Sequence, residues 1–274
     1  MFRTCTGIAL SALFLAALPD PVAPDPNSPR PIDAVDSVFI EDLTWMEVRD
    51  ALKGGVDTAI VATGGVEQNG PYLVAGKHNY VLRGTTEAIA RKLGKTLVAP
   101  IVPFVPEGDI SPPTSHMKYP STISVREETY QALLTDIISS LKTHGFRRII
   151  LIGDSGGNQA GMRDVAARLN AQWKGVPQVI FVPEYYDSAP VTAWVTGLGI
   201  KQEPEGLHDD FVMSAQLVAV DPRTVRADQR IRAGNFKING VSLAPIGQTA
   251  AWGRRIIDYR AELTIRAIQK RSQQ

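Results

Sequence analysis

Hydrophobic residues fall into short unbroken runs separated by longer stretches of helical periodicity. Runs over residues 56–63, 96–104, 149–152 and 179–183 have strand length. Where such runs are continuously apolar, as over 59–62, they suit strands buried on both faces of a parallel sheet. Between them the spacing predicts helices. The first covers 40–52, with Thr44 as N-cap and Trp45, Val48 and Leu52 as its apolar stripe, ended by Gly54 and Gly55. A second runs over about 80–93. A third begins at Ser124 as N-cap, with Glu127 completing a capping box, and buries Leu133, Leu134, Ile137, Ile138 and Leu141 before stopping at Gly145. A fourth covers about 159–173. Strand and helix alternate through four strands, which predicts an α/β fold with a mostly parallel sheet covered on both faces. The final third is less regular: 188–198 has helical character, and 250–270 reads as a closing helix with Ile257, Ala261, Ile265 and Ile268 inward.

The central run is Arg147 to Asn158, RRIILIGDSGGN, an apolar strand entering a glycine-rich turn and a helix. In open α/β sheets chemistry sits at the carboxyl ends of strands, so Asp154, Ser155 and Asn158 are expected to line a cleft. The strand over 56–63 delivers Glu67, Gln68, Asn69 and Tyr72 to the same edge, followed by a polar loop with Lys77, His78 and Asn79. A long irregular segment, 105–121, carries Glu107, Asp109 and His116, and long ordered loops tend to form lids or sites. His208, Asp209 and Asp210 form a fourth polar cluster.

Composition narrows the partners. The chain has 274 residues, 44% of them hydrophobic, with a net charge of +1 and pI near 7.8. Without a basic patch it lacks the electrostatic footprint of a nucleic-acid binder, and small molecules are the expected partners. Arg3 followed by the uncharged run 7–18 is too short to span a bilayer as a helix and matches a signal-peptide core. Residues 1–31 are therefore expected to be a signal peptide and Pro-rich linker, and 32–274 one domain, periplasmic or secreted and not membrane-bound after cleavage. Cys5 is the single cysteine. Its removal would exclude disulfides and thiolate ligands, leaving His, Asp, Glu or water to hold any metal.

The succession GGVEQNGPYLVAGKH, SHMKYPSTIS and THGFRRIILIGDSGGN resembles the creatininase (creatinine amidohydrolase) family. That family reads approximately GSxEQHGPHLPxGTD, EHxxFPGTIS and HGFRRxxxxNGHGGN at the same places. The resemblance runs from about Asp42 to Val220. It implies a three-layer α/β/α sandwich, homo-oligomers up to hexamers, and a divalent metal centre at the strand ends that activates water to hydrolyse amide or related C–N bonds.

Carried over residue by residue, Glu67 matches the family's ligating Glu, while Asn69 stands where the family has a ligating His. His78 stands at the Asp that bridges or joins the metals. Ser155 replaces the His of NGHGGN, and Asp154 the Gly before it. LHDDFVMS resembles HAGExETS, which puts Asp210 at a ligating Glu and His208 one residue from a His. The expectation is a rearranged site for one Zn or Mn ion, using Glu67, His78, Asp154 and Asp210. Glu107, His116 and Ser155 are the candidate catalytic groups, and Asn69, Tyr72, Asn158 and His208 the candidate substrate contacts. Hydrolysis of a small amide or cyclic amide follows. Two other readings stay open: an exported small-molecule binder without the metal, and a hydrolase using Ser155 as nucleophile. Each candidate also has a structural reading, such as Glu67 accepting loop amides, His78 capping a helix, and the glycines at 156 and 157 allowing a tight turn.

Overall fold

Four parallel strands form the centre of a computed structural model that describes residues 25–273. They are β1 (Thr58–Thr63), β2 (Thr96–Val98), β3 (Arg148–Gly153) and β4 (Gln178–Phe181), in the order β2-β1-β3-β4. Of the described residues, 25–33 belong to a separate unit, and 34–273 form the unit described here. The signal-peptide run lies outside the described residues. Among the described residues no helix is long and apolar enough to cross a membrane.

Alternate residues of each strand feed opposite layers. Ala59, Val61, Ile149 and Leu151 pack under α3 (Glu127–Thr143), through Tyr130, Leu134 and Ile138, and under α4 (Gln159–Trp173), through Met162, Val165 and Leu169. The helix α1 (Trp45–Lys53) joins this face through Val48 and Leu52. Ile60, Ala62, Ile150 and Ile152 face the other way, against Leu82 and Ile89 of α2 (Lys77–Leu93) and Ala261 and Ile268 of α8 (Ile246–Arg271). The result is a three-layer sandwich. β1 and β3 pair in register from Thr58↔Arg148 to Thr63↔Gly153. The chain leaves β1 for β2 on one side and reaches β3 on the other, so the gap between their carboxyl ends is the switch point where α/β sheets bind ligands.

Several expectations change in detail. The second strand ends at Val98, with isolated bridges at Val102 and Val105 beyond it. Pro100 and Pro103 lack the N–H a continuous ladder needs. Thr44 does cap α1, and its capping box closes with Glu47. Ser124 is not an N-cap. Arg126 holds that position, while the Ser124 hydroxyl accepts from the Glu107 N–H (2.9 Å) and donates to the Gly108 carbonyl (2.7 Å). Leu133, expected inward, is 37% exposed. The second helix begins at Lys77, one turn earlier than its periodicity indicates, so Lys77 and His78 are helical rather than in a loop.

The last third folds as α5 (Ala189–Gly197), α6 (Phe211–Val220), α7 (Ala227–Arg232), a hairpin of β5 (Lys237–Ile238) with β6 (Val241–Ser242), and α8. The hairpin turns on Asn239 and Gly240, both at positive φ (47° and 76°), as a two-residue turn of this hand requires. α6 packs along α8 and α2, which brings residues 207–210 over the strand ends.

Candidate active site

The carboxyl ends of β1 and β3 open into a cleft of about 880 Å³ lined by Glu67, Lys77, His78, Glu107, His116, Asp154, Ser155, His208 and Arg260, among others. Its floor is a chain of charged groups. Arg260 of α8 donates to Asp154 Oδ1 (2.8 Å) and to the Tyr185 carbonyl (2.9 Å). Asp154 Oδ2 meets His78 Nδ1 at 2.8 Å, and His78 Nε2 meets Glu67 Oε1 at 2.7 Å. On its outer side Glu67 faces two more imidazoles: His116 Nε2 lies 3.3 Å from Oε2, and His208 Nδ1 lies 3.4 Å from Oε1. The buried Lys77 ammonium stands 3.9 Å from Glu67 Oε1.

Lys77 and His78 occupy the first turn of α2. Cations there oppose the helix dipole; the carboxylates in front of them offset that. Burial would raise the Glu67 pKa, but the hydrogen bond and charge of His78 override it and hold Glu67 down at about 2. Burial likewise opposes ionisation of Asp154, and the Arg260 charge with the His78 hydrogen bond reverses it. His78 would be lowered by burial but is raised by its hydrogen bonds to Asp154 and Glu67. Glu107 behaves oppositely: burial first, then the Glu67 charge beside it, push it up to about 8, although the Ser155 hydroxyl donates to its Oε2 at 3.2 Å. At neutral pH Glu107 is an acid that keeps its proton, in front of an ionised Glu67. His208 is lowered by burial and by Lys77, which keeps its ring neutral.

Two glycines make this approach possible. A side chain at Gly157 would run into the Pro106 carbonyl, and one at Gly65 into the Glu107 carboxyl, so the loop carrying Glu107 can lie directly on both strand-end turns.

The structure gathers some of the sequence candidates and disperses others. Glu67, His78, Glu107, His116, Asp154, Ser155 and His208 share the cleft. Asp210 also lines it, but its carboxylate caps α6 by accepting from Met213 N (2.6 Å). The expected ligand set of Glu67, His78, Asp154 and Asp210 therefore does not converge on one point. Both ring nitrogens of His78 are taken by carboxylates, Asp154 is clamped by Arg260, and Asp210 is committed to its helix. Among the described residues, the His and carboxylate ligand atoms that lie within 4.8 Å of one another are those of Glu67, His116 and His208.

Three expected substrate contacts are structural. The Asn69 amide donates to the carbonyls of Glu67, Val74 and Ala75, which locks the loop. The Asn158 amide ties the β3 turn to the Thr63 and Gly64 carbonyls at the end of β1. Tyr72 lies under the Arg230 guanidinium, 4.4 Å from its ring centre. Ser155 hydrogen-bonds a carboxyl that retains its proton, not an imidazole, so it lacks the base that a nucleophilic serine needs. Arg260 went unrecognised in the sequence, and Lys77 was placed in the polar loop without a role. Arg260 had one signal, an arginine in the buried stripe Ile256, Arg260, Thr264, Ile268 of its helix.

The comparisons agree with this architecture. Residues 41–268 match the family model described as creatinine amidohydrolase. The chain belongs to the creatininase family. Among curated relatives, the 3-dehydro-scyllo-inosose hydrolase of Thermotoga maritima is 25% identical over 185 residues, covering 68% of this chain and 57% of that protein. The creatinine amidohydrolase of Pseudomonas putida is 27% identical over 118 residues, covering 42% and 44%. This creatininase-family chain thus spans about half the length of the curated relatives it matches. A solved structure titled "Creatininase Mn" superposes with a TM-score of 0.62 at 19% identity, over 85% of this chain and 98% of that one; at that identity the likeness establishes the fold.

As a test of fit, an ion needs two or more lone pairs aimed at one point about 2.0–2.2 Å from each donor. The inner position fails it at His78, whose two ring nitrogens are both held by carboxylates, and Asn69 keeps only its amide oxygen free, its nitrogen being tied to the loop carbonyls. The outer group passes. A carboxylate and two imidazoles, their ring centres 4.8 Å apart, form a donor set suited to Zn or Mn, although His208 Nδ1 donates to the Gln68 carbonyl (3.1 Å) and would have to leave that bond for an ion.

Proposed function

We propose that this protein is a hydrolase of small polar substrates, acting on the C–N bond of an amide or cyclic amide, with one divalent ion held by Glu67, His116 and His208. The observation that carries the reading is the meeting of those three side chains at the cleft, opposite a carboxyl that keeps its proton. A divalent ion there would polarise a carbonyl and make a water acidic. The chain's own residues supply the rest. The neutral Glu107 carboxyl, oriented by Ser155 and by its backbone bond to Ser124, is placed to give its proton to the departing nitrogen as water adds to the carbonyl carbon and the C–N bond breaks, and the carboxylate left behind takes up the proton that the water sheds, which restores the acid. His78 and Lys77 hold Glu67 ionised and in place. The hydrolase relatives and the family model support this chemistry, and the N-terminal run supports export.

The test is turnover of a panel of small lactams, cyclic ureides and linear amides by the purified protein. Activity removed by a chelator and restored by Zn or Mn is expected. Undiminished turnover in the chelator overturns the role of the ion. An ion-loaded protein that hydrolyses nothing in the panel would favour a binding protein instead.

A further inference from the structure

Two buried carboxylates at the ends of adjacent strands, Glu67 (2% exposed) and Asp154 (3% exposed), need a cation between them, since ionised groups out of water persist only when paired. In this protein that cation is covalent. The His78 ring spans the gap, with Nε2 on Glu67 and Nδ1 on Asp154. An ionised carboxylate can only accept, so both ring nitrogens donate, and the ring has no lone pair left for an ion. Behind it stand two further buried cations, Arg260 on Asp154 and Lys77 facing Glu67. Around two carboxylates the protein has therefore placed three cations of its own. A divalent ion entering this inner space would meet uncompensated positive charge and an imidazole with both nitrogens already engaged. On the outer face of Glu67 the conditions reverse: two imidazoles at 25% and 43% side-chain exposure approach the carboxylate from the cleft.

We propose that His78, backed by Lys77 and Arg260, is a protein-borne substitute for a metal ion at the inner strand-end position, so that the site accepts one ion only, on the outer side of Glu67. For that outer position the inference rests on the reading given above; for the inner position it stands alone. His78, Lys77 and Arg260 are then positioning residues, acting on the substrate only through Glu67. The arrangement fixes Glu67 before any ion arrives.

The test uses the wild-type protein and zinc. The sequence has four histidines, at 78, 116, 144 and 208, so two-dimensional ¹⁵N–¹H spectra of the imidazoles resolve into four assignable sets. Near neutral pH, His78 is expected to show protons on both nitrogens, protected from exchange and unmoved by one equivalent of Zn²⁺, while His116 and His208 shift together and His144 stays still. A His78 that loses a proton or shifts as a ligand when zinc is added overturns the inference. If His78 is doubly protonated and no histidine responds to zinc, the outer-ion reading fails while the inner substitution stands.

Discussion

Glu107 and Glu67 show how two carboxyls of one type take opposite chemical states within one cleft. Glu67 is buried but receives His78; Glu107 is buried and receives only a hydroxyl, beside a carboxylate already charged. A Glu107→Gln variant removes the proton while keeping size and polarity. It is expected to lower kcat by roughly 10²–10⁴, the usual worth of a positioned acid. In the wild type, activity falls as pH rises through the Glu107 pKa, which burial and the Glu67 charge push up to about 8 and a cation beside Glu67 would lower, because the proton-bearing form is the active one. The variant loses that alkaline limb, and a pH–rate profile of both proteins checks it. At this scale the sequence was partly legible. Glu67, His116 and His208 were each singled out, but their grouping was not, because Asp210 and Asp154 were equally good donors on paper. Only the helix cap on Asp210 and the Arg260 clamp on Asp154 remove them.

Among the elements, the sheet and its helices followed from hydrophobic pattern, whereas their edges did not. A strand period continuing past Val98 ignores the N–H groups that Pro100 and Pro103 lack. A Ser-x-x-Glu pattern at 124–127 looks like a capping box, yet the serine is held two residues ahead of the N-cap by the loop carrying Glu107. That long-range bond has a consequence of its own. In Ser124→Ala the buried Glu107 N–H and Gly108 carbonyl lose their partner, and leaving a buried polar group unsatisfied costs about 1–3 kcal/mol. Denaturant unfolding should show that loss, together with reduced kcat from a misplaced Glu107. A helix-capping role would instead give the stability loss without the kinetic one. The start of α2 failed for a related reason. Lysine and histidine read as loop residues at a helix N-terminus because local electrostatics disfavour them there, and the compensating carboxylates come from residues 67 and 154, on other elements.

For the whole molecule, the fold brings four separate segments to one edge: the turn after β1, the long loop over 105–121, the turn after β3, and the residues before α6 with α8 behind them. The first and third are fixed by the parallel pairing of β1 with β3. The others arrive by packing, which is why the sequence could suggest their convergence without showing it. The account is tested most directly by the metal content of the purified protein after exposure to Zn or Mn and removal of excess, measured by mass spectrometry for wild type, Glu67→Ala, His116→Ala, His208→Ala and His144→Ala. The account predicts one equivalent in wild type and His144→Ala, and its loss in the other three. Two equivalents in wild type, or one equivalent that survives in both His116→Ala and His208→Ala, would contradict it.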